Sequence, residues 1–161
     1  MNDMKNRFII SANTRREDQK KVMADIDDQG HCPFCAENLA KYHKNPIIKD
    51  GKFWILTENQ WPYEKVKHQL LAIYKTHIEH IREMDPAAGA ELIEMFRDEA
   101  VKRNIPGGGI MMRFGSNPEK GSYGNSVLHL HAHMVEPDLD ALESDEKWRM
   151  SFGKANKKSG I

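Results

Sequence analysis

The chain has 161 residues, enough for one domain to bury a sizeable core without disulfides. Its 24 basic and 24 acidic side chains cancel, so nothing global draws it to nucleic acid or to an anionic membrane, and any anion site must be local. No stretch reads as a signal peptide or a spanning helix, and the expected location is cytoplasmic.

In chain order, residues 14–27, "TRREDQKKVMADID", are expected to form an N-terminal helix. The two cysteines, Cys32 and Cys35, follow in "HCPFC". So close a pair is half a metal site or a redox pair. A redox pair would want a strand before it, and here the polar "ADIDDQG" precedes it, which favours metal with two further ligands from elsewhere. "AENLAKYHK" predicts a short helix, and "PIIKDGKFWILTE" a hairpin turning at Asp50-Gly51 with positive φ at both. "NQWPYEKVKH" is a loop and "QLLAIY" a buried strand. In "THIEHIREM", Thr76 and Glu79 stand at capping-box positions and predict a helix from His77. The strongest helix is "DPAAGAELIEMFRDEAVKRN": Asp85 caps it, Pro86 opens it, and Leu92, Met95, Phe96 and Ala100 make an apolar stripe. "PGGGI" at 106–110 is a connector, after which "GGGIMMRFGS" and "SVLHLHAHMV" supply two more strands. Strands and helices segregate, which predicts an α+β domain on an antiparallel sheet of about five strands with flanking helices; "GKANKKSGI" is a loose tail.

The last strand carries three histidines at alternate positions. Side chains of a strand alternate between faces, so His129, His131 and His133 should share one face and Leu128, Leu130, Ala132 and Met134 the other. A solvent-facing polar strand would account for one such histidine but poorly for three opposite a wholly apolar face. A single metal held by all three meets a geometric difficulty, because alternate side chains stand about 6.6–7 Å apart along a strand. A division of labour avoids it: one imidazole attacks phosphorus while its neighbours hold metal or charge, since neutral imidazole is a good nucleophile near pH 7. The preceding "GSNPEKGSYGNS" is rich in backbone N–H groups and hydroxyls suited to phosphate oxygens.

These residues resemble the histidine-triad superfamily of nucleotide hydrolases and transferases, in the branch with a Cys-x-x-Cys pair. "HLHAHMV" is similar to its signature, "GNSVLHLHAHMV" to its Gly-Gln-Ser-Val-apolar-His run, and "ILTENQWPYEKVKHQLLAIYKTHI" to its Asn-x-x-Pro loop, buried strand and following histidine. The likeness spans residues 32–137, leaving the N-terminal helix and an extension at 138–161 uncovered in one domain of residues 1–161. It implies a homodimer that cleaves at the α-phosphate of a nucleoside phosphoramidate or dinucleoside polyphosphate through a covalent nucleotidyl-histidine. His131 would be the nucleophile, His133 the partner on the phosphate oxygens and Ser126 the hydroxyl beside them, with Gly124, Asn125 and Asn59 also on the nucleotide. It implies a structural zinc on Cys32, Cys35, His77 and His129, with His80 as rival to His77. The ligand would be a small nucleotide, with neither nucleic acid nor membrane as partner.

The departures bear on substrate. The family's Asn-x-Gly reads "RFGSNPEKGS", with Arg113 or Asn117 as stand-ins, and its Gly-His reads Lys67-His68, adding a positive charge near the expected site. His31, His43 and His68 have no assigned partners, and Trp148 and Phe152 are candidates to reach a dimer partner's site. His133 in the third position favours a hydrolase. A nucleotidyltransferase or phosphorylase, and a nucleotide-binding protein with little turnover, stay open.

Overall fold

The computed structural model describes residues 8–10 and 13–156; part of the tail expected to be loose, 157–161, lies outside them, as do 1–7 and 11–12. Five strands form one antiparallel sheet: β1 (Ile47–Asp50), β2 (Trp54–Glu58), β3 (Val66–Tyr74), β4 (Gly109–Arg113) and β6 (His131–Pro137), in the order β1-β2-β3-β6-β4. The helices are α1 (Glu17–Gln29), α2 (Ala36–Tyr42) and α3 (Pro86–Lys102), and β5 (Gly121–Ser122) pairs with β7 (Lys154–Ala155) apart from the main sheet. This is the expected α+β architecture.

α3 forms where its sequence dictates. The Asp85 carboxylate accepts from Ala87 N–H at 2.9 Å, Pro86 begins the first turn, and the buried stripe Ala88, Leu92, Met95 and Phe96 faces the sheet. It packs on Trp54, Leu56, Leu70, Ala72, Tyr74, Leu130, Ala132 and Met134, and each large side chain buried there contributes about 1.5–3 kcal/mol. Trp54 keeps its indole N–H satisfied by donating to Ala88 O at 2.8 Å. The opposite sheet face is also covered: Leu71 and Ile73 pack on Leu39 of α2 and on Phe34. Ile9, Met23, Ile26, Cys32 and Val127 form a second cluster that ties α1 to the cysteine loop.

Four local expectations need correction. No helix begins at His77; the chain instead makes a single 3₁₀ turn, Ile81–Glu83, in which His80 is the cap and Glu83 its reciprocal partner. The capping box is therefore His80/Glu83 rather than Thr76/Glu79. The hairpin does not turn on positive φ at Asp50-Gly51, which are absent from the positive-φ residues; residues 51–53 form a longer loop in which Gly51 N–H donates to Trp54 O, while the N–H groups of Lys52, Phe53 and Trp54 reach Glu91 of α3. Helix α1 runs from 17 to 29 rather than 14 to 27 and ends at Gly30, whose φ of 65° allows its N–H to reach Ile26 O and Asp27 O. Finally, β6 begins at His131. Before it, Leu128 N–H donates to Phe8 O and Leu130 N–H to Ile78 O, so His129 sits outside the strand rather than in register with His131 and His133.

Candidate functional site

The break before β6 separates the three histidines. His131 and His133 stay on the face away from α3, while His129 turns toward the cysteine loop. Its Nδ1 lies 3.3 Å from Cys32 Sγ and 4.0 Å from Cys35 Sγ; His77 Nδ1 lies 3.4 Å from Cys35 Sγ and 3.2 Å from His129 Nδ1. All four donor atoms lie within 4.8 Å of one another, the one such group of three or more among the described residues. Bond lengths of about 2.3 Å to sulfur and 2.0–2.1 Å to nitrogen put tetrahedron edges at roughly 3.3–3.8 Å, so this cage has the size a tetrahedral zinc needs. Its chemistry fits as well. Burial pushes the Cys32 thiol up to about 12, raises Cys35 too, and pulls His129 down to about 4, and two thiols with two imidazoles, buried or half-buried, are donors of the kind a zinc ion takes. His129 Nε2–H donates to Tyr74 O at 2.5 Å, which leaves Nδ1 as the ligand atom. His80 is elsewhere, its Nδ1 accepting from Arg82 N–H at 3.1 Å and its ring edge-on to Phe114.

The second site is a pocket beside the cage, lined among others by Asn59, Gly124, Asn125, Ser126, His131 and His133. His131 Nδ1–H donates to its neighbour His129 O at 2.6 Å, so Nε2 carries the lone pair. The two rings lie 5.3 Å apart, edge to face. Burial holds both imidazoles below the usual range, His133 well below it, with His131, Arg113 and Arg15 adding to the depression at His133. Both are therefore neutral at pH 7. A larger, shallow groove of about 870 Å³ beyond Arg113 contains neither histidine.

Sequence reading missed several residues that shape this pocket. Gln69 is buried on β3; its Oε1 accepts from Tyr63 N–H at 2.7 Å, which turns Nε2 toward His133 Nδ1 at 3.3 Å. That orientation makes Gln69 the donor and leaves the proton of His133 on Nε2, as an N–H donor. Phe34, between the cysteines, sets its ring edge-on to His131 at 5.3 Å and so couples cage to pocket. Arg15 and Tyr63 also line it, as does His43, which donates through Nε2 to Thr57 Oγ1 at 2.8 Å, that hydroxyl donating to Pro46 O. Nothing local marks these residues; they meet through tertiary folding. Gly124 holds a φ of 93° and closes the wall against Arg113, where a Cβ would stand 2.9 Å from Nε. The neighbouring Asn125 Oδ1 is buried with no donor, an acceptor that a ligand N–H or O–H would satisfy.

Other residues that the sequence singles out lie outside the pocket. Lys67 is paired with Asp138 and Asp140, and Asn117 caps the turn to Lys120. Trp148 packs edge-on to Tyr63 of its own chain and donates to Glu64 O, while His31 pairs with Tyr42 and His68 with Glu136.

An antiparallel α+β sheet with two histidines at the start of the interior strand β6, and a third turned to a Cys-x-x-Cys loop, defines a histidine-triad protein. Residues 31–148 match the family model described as "Scavenger mRNA decapping enzyme C-term binding", and the chain belongs to that family. Solved structures agree on the fold. They include a histidine triad protein from Clostridium difficile (15% identity, TM-score 0.52, covering 81% of this chain and 100% of that one). A zinc-bound histidine triad family protein from Mycobacterium smegmatis matches at 20% identity and TM-score 0.52, covering 70% and 79%. A HIT family hydrolase from Clostridium thermocellum matches at 20% and 0.50, covering 70% and 95%. No curated protein matches the chain significantly.

Proposed function

We propose that the protein is a nucleotide hydrolase that cleaves a nucleoside phosphoramidate or dinucleoside polyphosphate at the α-phosphate. The observation that carries this reading is the bond from His131 Nδ1–H to His129 O, which presents Nε2 as a neutral nucleophile into a pocket shared with His133. Nε2 attacks the α-phosphorus, the bond to the leaving group breaks, and the leaving group departs with that electron pair, an amine also taking up a proton from solvent. Water then attacks the nucleotidyl-His131 and gives up a proton to solvent, the P–N bond breaks with its electron pair returning to Nε2, and a nucleoside monophosphate and free imidazole result. His133 Nε2–H stabilises the charge that builds on the phosphate oxygens, with the Gly124–Ser126 backbone and the Ser126 hydroxyl beside it; Asn59 stands toward the ribose. Kinship with proteins titled HIT family hydrolase supports hydrolysis over transfer.

Zinc on Cys32, Cys35, His77 and His129 has a structural role in this scheme, since four protein ligands close a tetrahedral site and leave no position for water. Free thiols fit a reducing compartment and so a cytoplasmic location. No helix among the described residues is long and apolar enough to cross a membrane. β4, an edge strand with exposed Ile110, supports the homodimer.

Rapid alkaline quench of wild type with a labelled nucleoside phosphoramidate or dinucleoside polyphosphate is expected to trap a nucleotide on His131, since the P–N bond is acid-labile but survives base. His131→Ala is expected to lose turnover by at least about 10³-fold. Full turnover by that variant sinks the reading, and tight nucleotide binding without turnover by wild type would make the protein a binding module instead.

A further inference from the structure

We propose that Arg15 and Arg113, joined through Tyr63, form an anion clamp for a phosphate of the substrate beyond the one His131 attacks. The proposal rests on the hydrolase reading and narrows it toward substrates whose leaving group is itself anionic.

Tyr63 brings the two cations together. The Arg15 guanidinium lies over its ring, 3.7 Å from the centroid, and Arg113 Nη1 donates to its hydroxyl at 2.9 Å. The same ring stands edge-on to His133, with centroids 6.3 Å apart. Among the described residues, neither guanidinium forms an ion pair with a carboxylate, whereas Arg103, also partly buried, is matched by both Glu58 and Glu99. Two neighbouring cations repel, and taking them from water costs more still: burial lowers the pKa of Arg15, and Arg113 lowers it further against the opposing pull of Tyr63. Such a pair is expected where an anion completes it.

The clamp is held in place and still has donors to offer. Arg113 Nε and Nη2 both donate to Ser151 O, at 3.1 and 2.6 Å, so with the Tyr63 bond three of its five N–H groups are used by the described residues and two are left. Among the described residues Arg15 makes one long bond, 3.5 Å, from Nη2 to Trp61 O, and four of its five N–H groups are left. Arg15 comes from the arm ahead of α1, outside residues 31–148 that match the family model. That arm is tied to the phosphate-side loop, since Asn13 Nδ2 donates to Asn125 O at 2.7 Å and Ile10 N–H to Ser126 O at 2.9 Å. Gln19 Oε1 accepts from Arg15 N–H at 3.1 Å. Arg113 lies against Gly124 of the same loop. The cations thus stand beside the loop and beside His133, with the arm supplying a charge the family core does not.

The test compares two substrates and one inorganic ligand. Arg15→Gln should lower kcat/KM for a dinucleoside polyphosphate at least 30-fold more than for a nucleoside phosphoramidate with a neutral amine leaving group. Equal losses on both, or no loss on either, would overturn the clamp. Calorimetric binding of inorganic tripolyphosphate to His131→Ala protein should weaken at least tenfold when Arg15→Gln is added, and undiminished binding would also overturn it. If wild type turns over neither substrate, the hydrolase reading fails while tripolyphosphate binding still decides the clamp.

Discussion

At the scale of single residues, the pocket depends on which ring nitrogen carries each proton. In the proposed scheme Gln69 is a positioning residue: it holds His133 with its proton on Nε2, and Gln69→Leu removes that constraint without touching His131, the proposed nucleophile. The expected result is a kcat lower by about 10- to 100-fold with substrate affinity nearly unchanged, measured in steady-state kinetics; a change confined to KM would contradict the role. His133 also makes stability depend on pH. Its folded-state pKa is depressed, mainly by burial, so the unfolded chain binds the proton more readily. The stabilisation is therefore full above the unfolded value of about 6.5 and is lost as pH falls below it, by up to about 1.4 kcal/mol per pH unit for one group. Urea unfolding at pH 7.5 and 5.5 should show His133→Gln losing less stability between the two than wild type does.

At the scale of elements, the loop between β1 and β2 is pinned to α3 by one carboxylate, beside the apolar packing of Trp54 and Leu56. Glu91 accepts from the backbone N–H groups of Lys52, Phe53 and Trp54 at 2.6, 2.7 and 3.0 Å, which explains why the hairpin loop is longer than its Asp-Gly pair suggests. Glu91→Ala leaves those donors to water and is expected to cost about 2 kcal/mol in urea unfolding, with Glu91→Gln recovering part of it. α3 and the strands around it were legible in the sequence because cap, proline and apolar spacing are local. The turn after Tyr74 was not. A capping box written at Thr76/Glu79 competes with the pull of His77 toward the cysteine loop and of Leu130 N–H on Ile78 O, and the chain caps one turn later.

At the scale of the whole molecule, the cage joins segments that no helix or strand connects: the loop after α1, the turn after β3 and the residue before β6. Chelating its metal should therefore loosen the cysteine loop and with it Phe34, the edge-on neighbour of His131. Loss of stoichiometric zinc is expected to lower Tm by roughly 10 °C and to reduce turnover along with it; Cys35→Ala should do the same, and His80→Ala should leave metal content intact.

The alternation of "HLHAHMV" and the amphipathic stripe of α3 determined a sheet with one face packed on α3 and the other bearing His131 and His133, because periodicity sorts side chains before any tertiary contact exists. The same alternation counted His129 with its neighbours, and only the paired backbone of the folded sheet, starting at His131, set it apart. Arg15, Tyr63 and Gln69 surround His133 from an N-terminal arm, a loop and a buried strand. Their meeting was decided by tertiary structure alone, since no spacing along the chain encodes which distant side chains gather around one imidazole.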